Sequence, residues 1–112
     1  MEIKIGNTKY KIKIANKVSI GNRKFDGLIH FDGKDISGYV KKTRNTIEVE
    51  NNKNKEHILF HEIAHGLFAT LGKDKPCLKR LTTSCNNNEN FIDGLAILMM
   101  GCFDIKYIKK DK

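Results

Sequence analysis

The stretch His61-Glu62-Ile63-Ala64-His65 constrains this chain more than any other, because its spacing acquires a meaning on a helix. Residues i and i+4 of an α-helix project from one side, so both imidazoles face one point. Two neutral imidazoles held in that way occupy two corners of a tetrahedral zinc site. Glu62 is rotated off that axis. It reaches a water at such a site and not the ion, which is where a general base belongs. The neighbours supply the helix. Phe60, Ile63, Ala64, Leu67, Phe68 and Leu71 recur at the spacing of a core-facing stripe. A helix is expected over about 54–71, entered through the polar Asn51–Asn54 and stopped at Gly72.

A catalytic zinc site takes three protein ligands and keeps one position for water. The third donor is sought where the helical period returns. Asn88-Glu89-Asn90-Phe91-Ile92-Asp93 opens a second helix, expected over about 89–105. Glu89 is the candidate ligand; otherwise it is a first-turn glutamate complementing the helix dipole. Asp93 shares its face and is a candidate to accept a hydrogen bond from the far ring nitrogen of a ligand histidine, with His61 the favoured partner. His57, four residues before His61, is a possible transition-state donor, as are Tyr39, Tyr107 and Arg80. His30 reads as a strand-face residue.

Before the first helix the period is that of strands. Ile3 and Ile5, then Tyr10, Ile12 and Ile14, alternate with lysines around a Gly6-Asn7 turn. Val18–Ile20 precedes a second turn pair, Gly21-Asn22. Phe25–Phe31 reads as a strand, followed by a turn at Asp32–Asp35. Gly38–Lys41 and Thr46–Glu50 read as two antiparallel strands joined by Lys42–Asn45. Ile47 and Val49 alternate with Glu48 and Glu50, so one face is expected to be wet, and Thr46–Glu50 is a candidate edge strand for an extended peptide. Between the helices, residues 73–88 carry the sole proline and three consecutive asparagines, and read as a long loop with a short helical turn near Leu78–Leu81. The last helix has a broad apolar face through Phe91, Ile92, Leu95, Ala96, Leu98, Met99, Cys102 and Phe103, as burial on more than one side requires. The tail from about Lys106 is polar and expected to fray.

The whole, residues 1–112, is expected to be one domain: a sheet over about 2–50, the motif helix, the loop and the C-terminal helix. Basic residues number 21 against 13 acidic, a net charge of +8, spread along the chain without long runs. Such a surface favours acidic partners or weak nucleic-acid contact without marking a specific site. Three cysteines without a C-x-x-C pair indicate neither a disulfide framework nor a zinc ribbon, and fit a reducing, cytoplasmic setting. Cys102 is expected to be a buried thiol. The N-terminus has no signal-peptide core, and the longest apolar run, Leu95–Phe103, is about half of a membrane span.

His61-Glu62-x-x-His65 with Glu89-x-x-x-Asp93 resembles the thermolysin-like (gluzincin) arrangement of zincins. The small size and the strand pattern Gly38-Tyr39-Val40 to Ile47-Glu48-Val49 resemble the minimal ImmA/IrrE-like metallopeptidase domains of phages and mobile elements. The likeness runs from about Phe25 to Met100. It implies an α+β, zincin-like fold with a mostly antiparallel sheet on the motif helix. It further implies one Zn²⁺ on His61, His65 and Glu89, Asp93 bonded to the first histidine, Glu62 as general base, and a peptide or protein substrate. Two alternatives stand beside this reading: a non-catalytic zinc-binding module acting by partner binding, as an antirepressor does, and a basic nucleic-acid-associated protein.

Overall fold

A computed structural model describes residues 2–30 and 45–103. They form an α+β fold in which a four-stranded mixed sheet and a β-hairpin pack against three helices. Strands β1 (Glu2–Ile5) and β2 (Thr8–Ala15) make an antiparallel pair with Ile5 opposite Thr8. Gly6 takes φ +61°, the left-handed value that such a tight turn asks of its first central residue. Strands β3 (Val18–Ile20) and β4 (Arg23–Phe25) repeat the device around Gly21, φ +59°. Phe25 therefore ends a hairpin, and the next strand, β5 (Gly27–His30), begins after a bend at Asp26.

Strand β6 (Thr46–Glu50) is interior, not an edge. It runs parallel to β2 and antiparallel to β5, giving the order β1-β2-β6-β5. Its sequence explains the placement: Ile47 and Val49 are completely buried, and Glu48 and Glu50 are themselves partly covered. The expected wet face is thus only half wet; Glu48 Oε1 lies 2.6 Å from Nε2 of His30, the strand-face histidine. Strand β5 has a hydrogen-bonded neighbour on one side only among the described residues. The expected strand at Gly38–Lys41, the turn at Asp32–Asp35, residues 42–44 of the connection and the tail from Lys106 lie outside the described residues.

Helix α1 (Lys55–Asp74) covers the sheet. Leu59, Phe60 and Ile63 join Ile5, Tyr10, Ile12, Ile47 and Val49 in one core. Gly72 does not stop the helix; it is buried within it, because a β-carbon there would collide with Oγ1 of Thr82. Thr82 belongs to α2 (Lys79–Asn86), preceded by a 3₁₀ turn over Pro76–Leu78. The expected long loop is thus largely helical. Leu67 and Leu71, at the far margin of the expected stripe, are 43% and 41% exposed.

Helix α3 (Glu89–Cys102) packs along α1 through fully buried Ile92 and Ala96, with the Phe68 and Phe91 rings 5.6 Å apart. Among the described residues it is covered on one side only. Ile97 is 57% and Leu98 69% exposed, and Cys102 is exposed as well, contrary to the expected burial. All three cysteines are free. No helix among the described residues is long and apolar enough to cross a membrane.

Candidate metal centre

The site forms where α1 and the first turn of α3 meet. Helical spacing puts His61 and His65 on one side of α1, with their Nε2 atoms 3.2 Å apart. Helix α3 starts at Glu89 because Oδ1 of Asn88 accepts the Phe91 backbone N–H at 3.1 Å, capping the helix. That start aims the Glu89 carboxylate at the histidines. One oxygen lies 2.9 Å from His61 Nε2 and the other 3.3 Å from His65 Nε2. Donors on a tetrahedral zinc with bonds of about 2.0–2.1 Å stand roughly 3.3 Å apart. The two Nε2 atoms stand close to that edge length, and each faces one oxygen of the Glu89 carboxylate, so the chemistry of this donor set suits a single cation. His61, His65 and Glu89 form a group that could hold one metal ion.

The other nitrogen of each histidine faces an oxygen, at unequal range. Nδ1 of His65 lies 2.5 Å from Oδ1 of Asn86 at the end of α2. An amide oxygen only accepts, so this contact keeps the proton on Nδ1 and leaves the Nε2 lone pair facing Glu89. On His61 the corresponding atom is 3.5 Å from Oδ1 of Asp93. That same oxygen is nearer to His57 Nε2, at 2.8 Å. Asp93 therefore stands at the nitrogen of His61 that the sequence suggests, but its short contact is with His57.

Glu62 is 9% exposed, turned under the histidines against β5. Gly27 permits this. A β-carbon at Gly27 would lie 2.5 Å from Cγ2 of Ile58 and 3.2 Å from Cγ of Glu62. Burial pushes the Glu62 carboxyl above its ordinary pKa; His61 and His65 pull it partly back, and Glu89 adds to the rise.

A cleft of about 660 Å³ opens over these groups, walled by Phe25–Leu28 on one side and by His57, Ile58, His61, Glu62, His65, Glu89 and Asp93 on the other. His57 is thus in the cleft wall, whereas Arg80 is not. Tyr39 and Tyr107 lie outside the described residues. Two contributors escape a reading of the sequence: Asn86, whose side chain acts across to another helix, and Gly27, whose role is to have no side chain.

No family model matches the chain, and neither a curated protein nor a solved structure matches it significantly. The zincin resemblance accordingly rests on the His61–His65 motif and its convergence with Glu89.

Proposed function

We propose that the protein is a zinc-dependent peptidase with Glu62 as general base. One observation carries the reading: two imidazoles and a carboxylate from two helices converge within reach of one ion, beside a buried carboxylate in an open cleft. Zinc held by His61, His65 and Glu89 would keep one position for water and supply Lewis acidity. Glu62 takes the proton of the attacking water and passes it to the leaving amine as the C–N bond breaks. Burial raises the Glu62 pKa, which makes its carboxylate a stronger base toward the water's proton. His57 lies in the cleft wall with its Nε2–H donated to Asp93; the protonated ring would offer its Nδ1–H to the carbonyl oxygen.

The choice of a peptide bond rests on the gluzincin resemblance and on the shape of the cleft. Gly27 and Leu28 of β5 form its wall, and of the two strands of the four-stranded sheet with an open side among the described residues, β1 and β5, only β5 lines the cleft. An extended peptide adding to β5 by backbone pairing would pass the metal ligands. This moves the peptide-binding role from Thr46–Glu50, which is enclosed, to Gly27–His30.

The test is metal analysis joined to a cleavage assay. Wild type is expected to hold one equivalent of zinc, lost in His65→Ala and in Glu89→Ala. Glu62→Gln is expected to keep the zinc and lose cleavage of a diverse peptide library by about a thousandfold or more, as removal of a general base does at the upper end of its usual contribution. Zinc retained in both ligand variants overturns the ligand set. Zinc-loaded wild type that leaves every library peptide intact overturns the peptidase reading.

A further inference from the structure

The net charge of +8 looks diffuse in the sequence, but the sheet concentrates part of it. In the β1–β2 ribbon Ile3, Ile5, Tyr10 and Ile12 turn toward α1 and the core. Strand alternation then sends Lys4, Lys9, Lys11 and Lys13 to the opposite face, where all four are exposed. Lys9 to Lys13 spans roughly 13 Å along the strand. Among the described residues none of the four has a carboxylate partner within ion-pair distance. The acids of the neighbouring strand are engaged elsewhere: Glu48 with His30 at 2.6 Å, and Glu50 with Lys24 at 3.7 Å.

A second observation separates this face from an ordinary solvated surface. Lys4 and Lys9 are direct cross-strand partners. Like charges directly opposite one another weaken a ribbon. A sheet shaped for stability alone would place an acid at one of these positions, as it does at Glu2 opposite Lys11.

We infer that this lysine face binds the phosphate backbone of double-stranded nucleic acid. Point charges on a flat strand face suit phosphates and carry no base readout. Single strands are ordinarily held by aromatic platforms as well, and the outward residues of this ribbon include no aromatic. The face lies across the sheet from α1, so a duplex there leaves the His61–Glu89 cleft free. The inference is independent of the peptidase reading.

The experiment is fluorescence anisotropy of a labelled 20-base-pair DNA duplex with the full chain. Four neutralised phosphates predict a slope of log K against log salt near −3.6, about a hundredfold loss between 50 and 200 mM salt. The triple variant Lys9→Glu/Lys11→Glu/Lys13→Glu is expected to lose binding at 50 mM salt by at least a hundredfold. The milder Lys→Gln triple, which removes charge without reversing it, is expected to weaken binding at least tenfold while melting as wild type does. No binding by wild type at 50 mM salt overturns the inference, as does a folded Gln triple that binds unchanged. Tighter binding to an unstructured single strand of equal length, or to poly-glutamate, overturns the assignment to a duplex.

Discussion

The Oδ1 atom of Asn86 lies 2.5 Å from Nδ1 of His65, although the two residues belong to different helices. This contact decides which ring nitrogen carries the proton, and therefore whether Nε2 is free to bind an ion. Partners of ligand histidines are typically worth 10–100-fold in metal affinity. Asn86→Ala is expected to weaken zinc binding about tenfold or more, measured by competition with a chromophoric chelator. Asn86→Asp, which keeps an accepting oxygen, should retain most of the affinity. Equal affinities for wild type and Asn86→Ala would remove Asn86 from the site.

The Glu62 carboxyl gives the metal-free protein a signed pH dependence. Burial raises its folded pKa above the unfolded one. Between the two values the folded state holds more protons than the unfolded state, so stability falls as pH rises through that window. The contribution is fully present below the unfolded carboxyl pKa and lost above the raised folded pKa. Glu62→Gln removes the titration. In chelator-treated protein the variant is expected to melt above wild type at neutral pH, and the gap should close on acidification below the ordinary carboxylate range. A gap that stays constant from pH 4 to pH 8 would show that burial is not straining this carboxyl.

Gly27 lets β5 approach α1 closely enough for Glu62 to lie against the strand. The Cγ2 atom of Ile58 would be 2.5 Å from an added β-carbon, so one of the two elements must shift. Overpacking of this kind costs about 1–3 kcal/mol. Gly27→Ala is expected to lower the urea midpoint accordingly, and to impair peptide cleavage beyond what the lost stability explains because Glu62 moves with the contact. Unchanged midpoint and cleavage would mean that the strand end yields freely.

What the sequence discloses, and what it hides, divides along physical lines. His61, Glu62 and His65 are legible because one helical turn relates them. Glu89 is legible because Asn88 signals the start of a helix. The hairpins announce themselves through Gly6 and Gly21. The parallel pairing of β2 with β6 does not, since it joins strands some 30 residues apart with no turn between them to mark it. Helix α2 reads as a loop because Thr82 is its sole buried residue. It is held from within, Thr82 Oγ1 donating toward the Leu78 and Lys79 carbonyls, each 3.1 Å away, and from outside by its seat on Gly72. The run Asn86-Asn87-Asn88 looks like a flexible connection, yet its first side chain holds a candidate ligand and its last caps α3. The apolar breadth of α3 reads as burial on several sides; its outer face at Ile97 and Leu98 is open instead. Hydropathy reports what a face would bury, not whether a neighbour is there.

Asp93 offers one oxygen to two histidines, and the unequal distances rank its duties. At 2.8 Å from His57 Nε2 the contact is a full hydrogen bond; at 3.5 Å from His61 Nδ1 it is marginal. Asp93→Asn is therefore expected to cost less zinc affinity than Asn86→Ala does, under tenfold, because His61 depends on it weakly. His57→Ala should leave zinc stoichiometry unchanged, since His57 is not among the three converging donors. If His57 donates to the carbonyl oxygen, its removal should lower kcat by about a hundredfold, the usual loss for one such donor, with little change in KM. Asp93→Asn should produce a smaller version of that same effect, and the double variant should be no worse than His57→Ala alone. Additive losses in the double variant, or zinc lost with His57, would show that Asp93 serves the metal ligand first and that the cleft-wall histidine has another role.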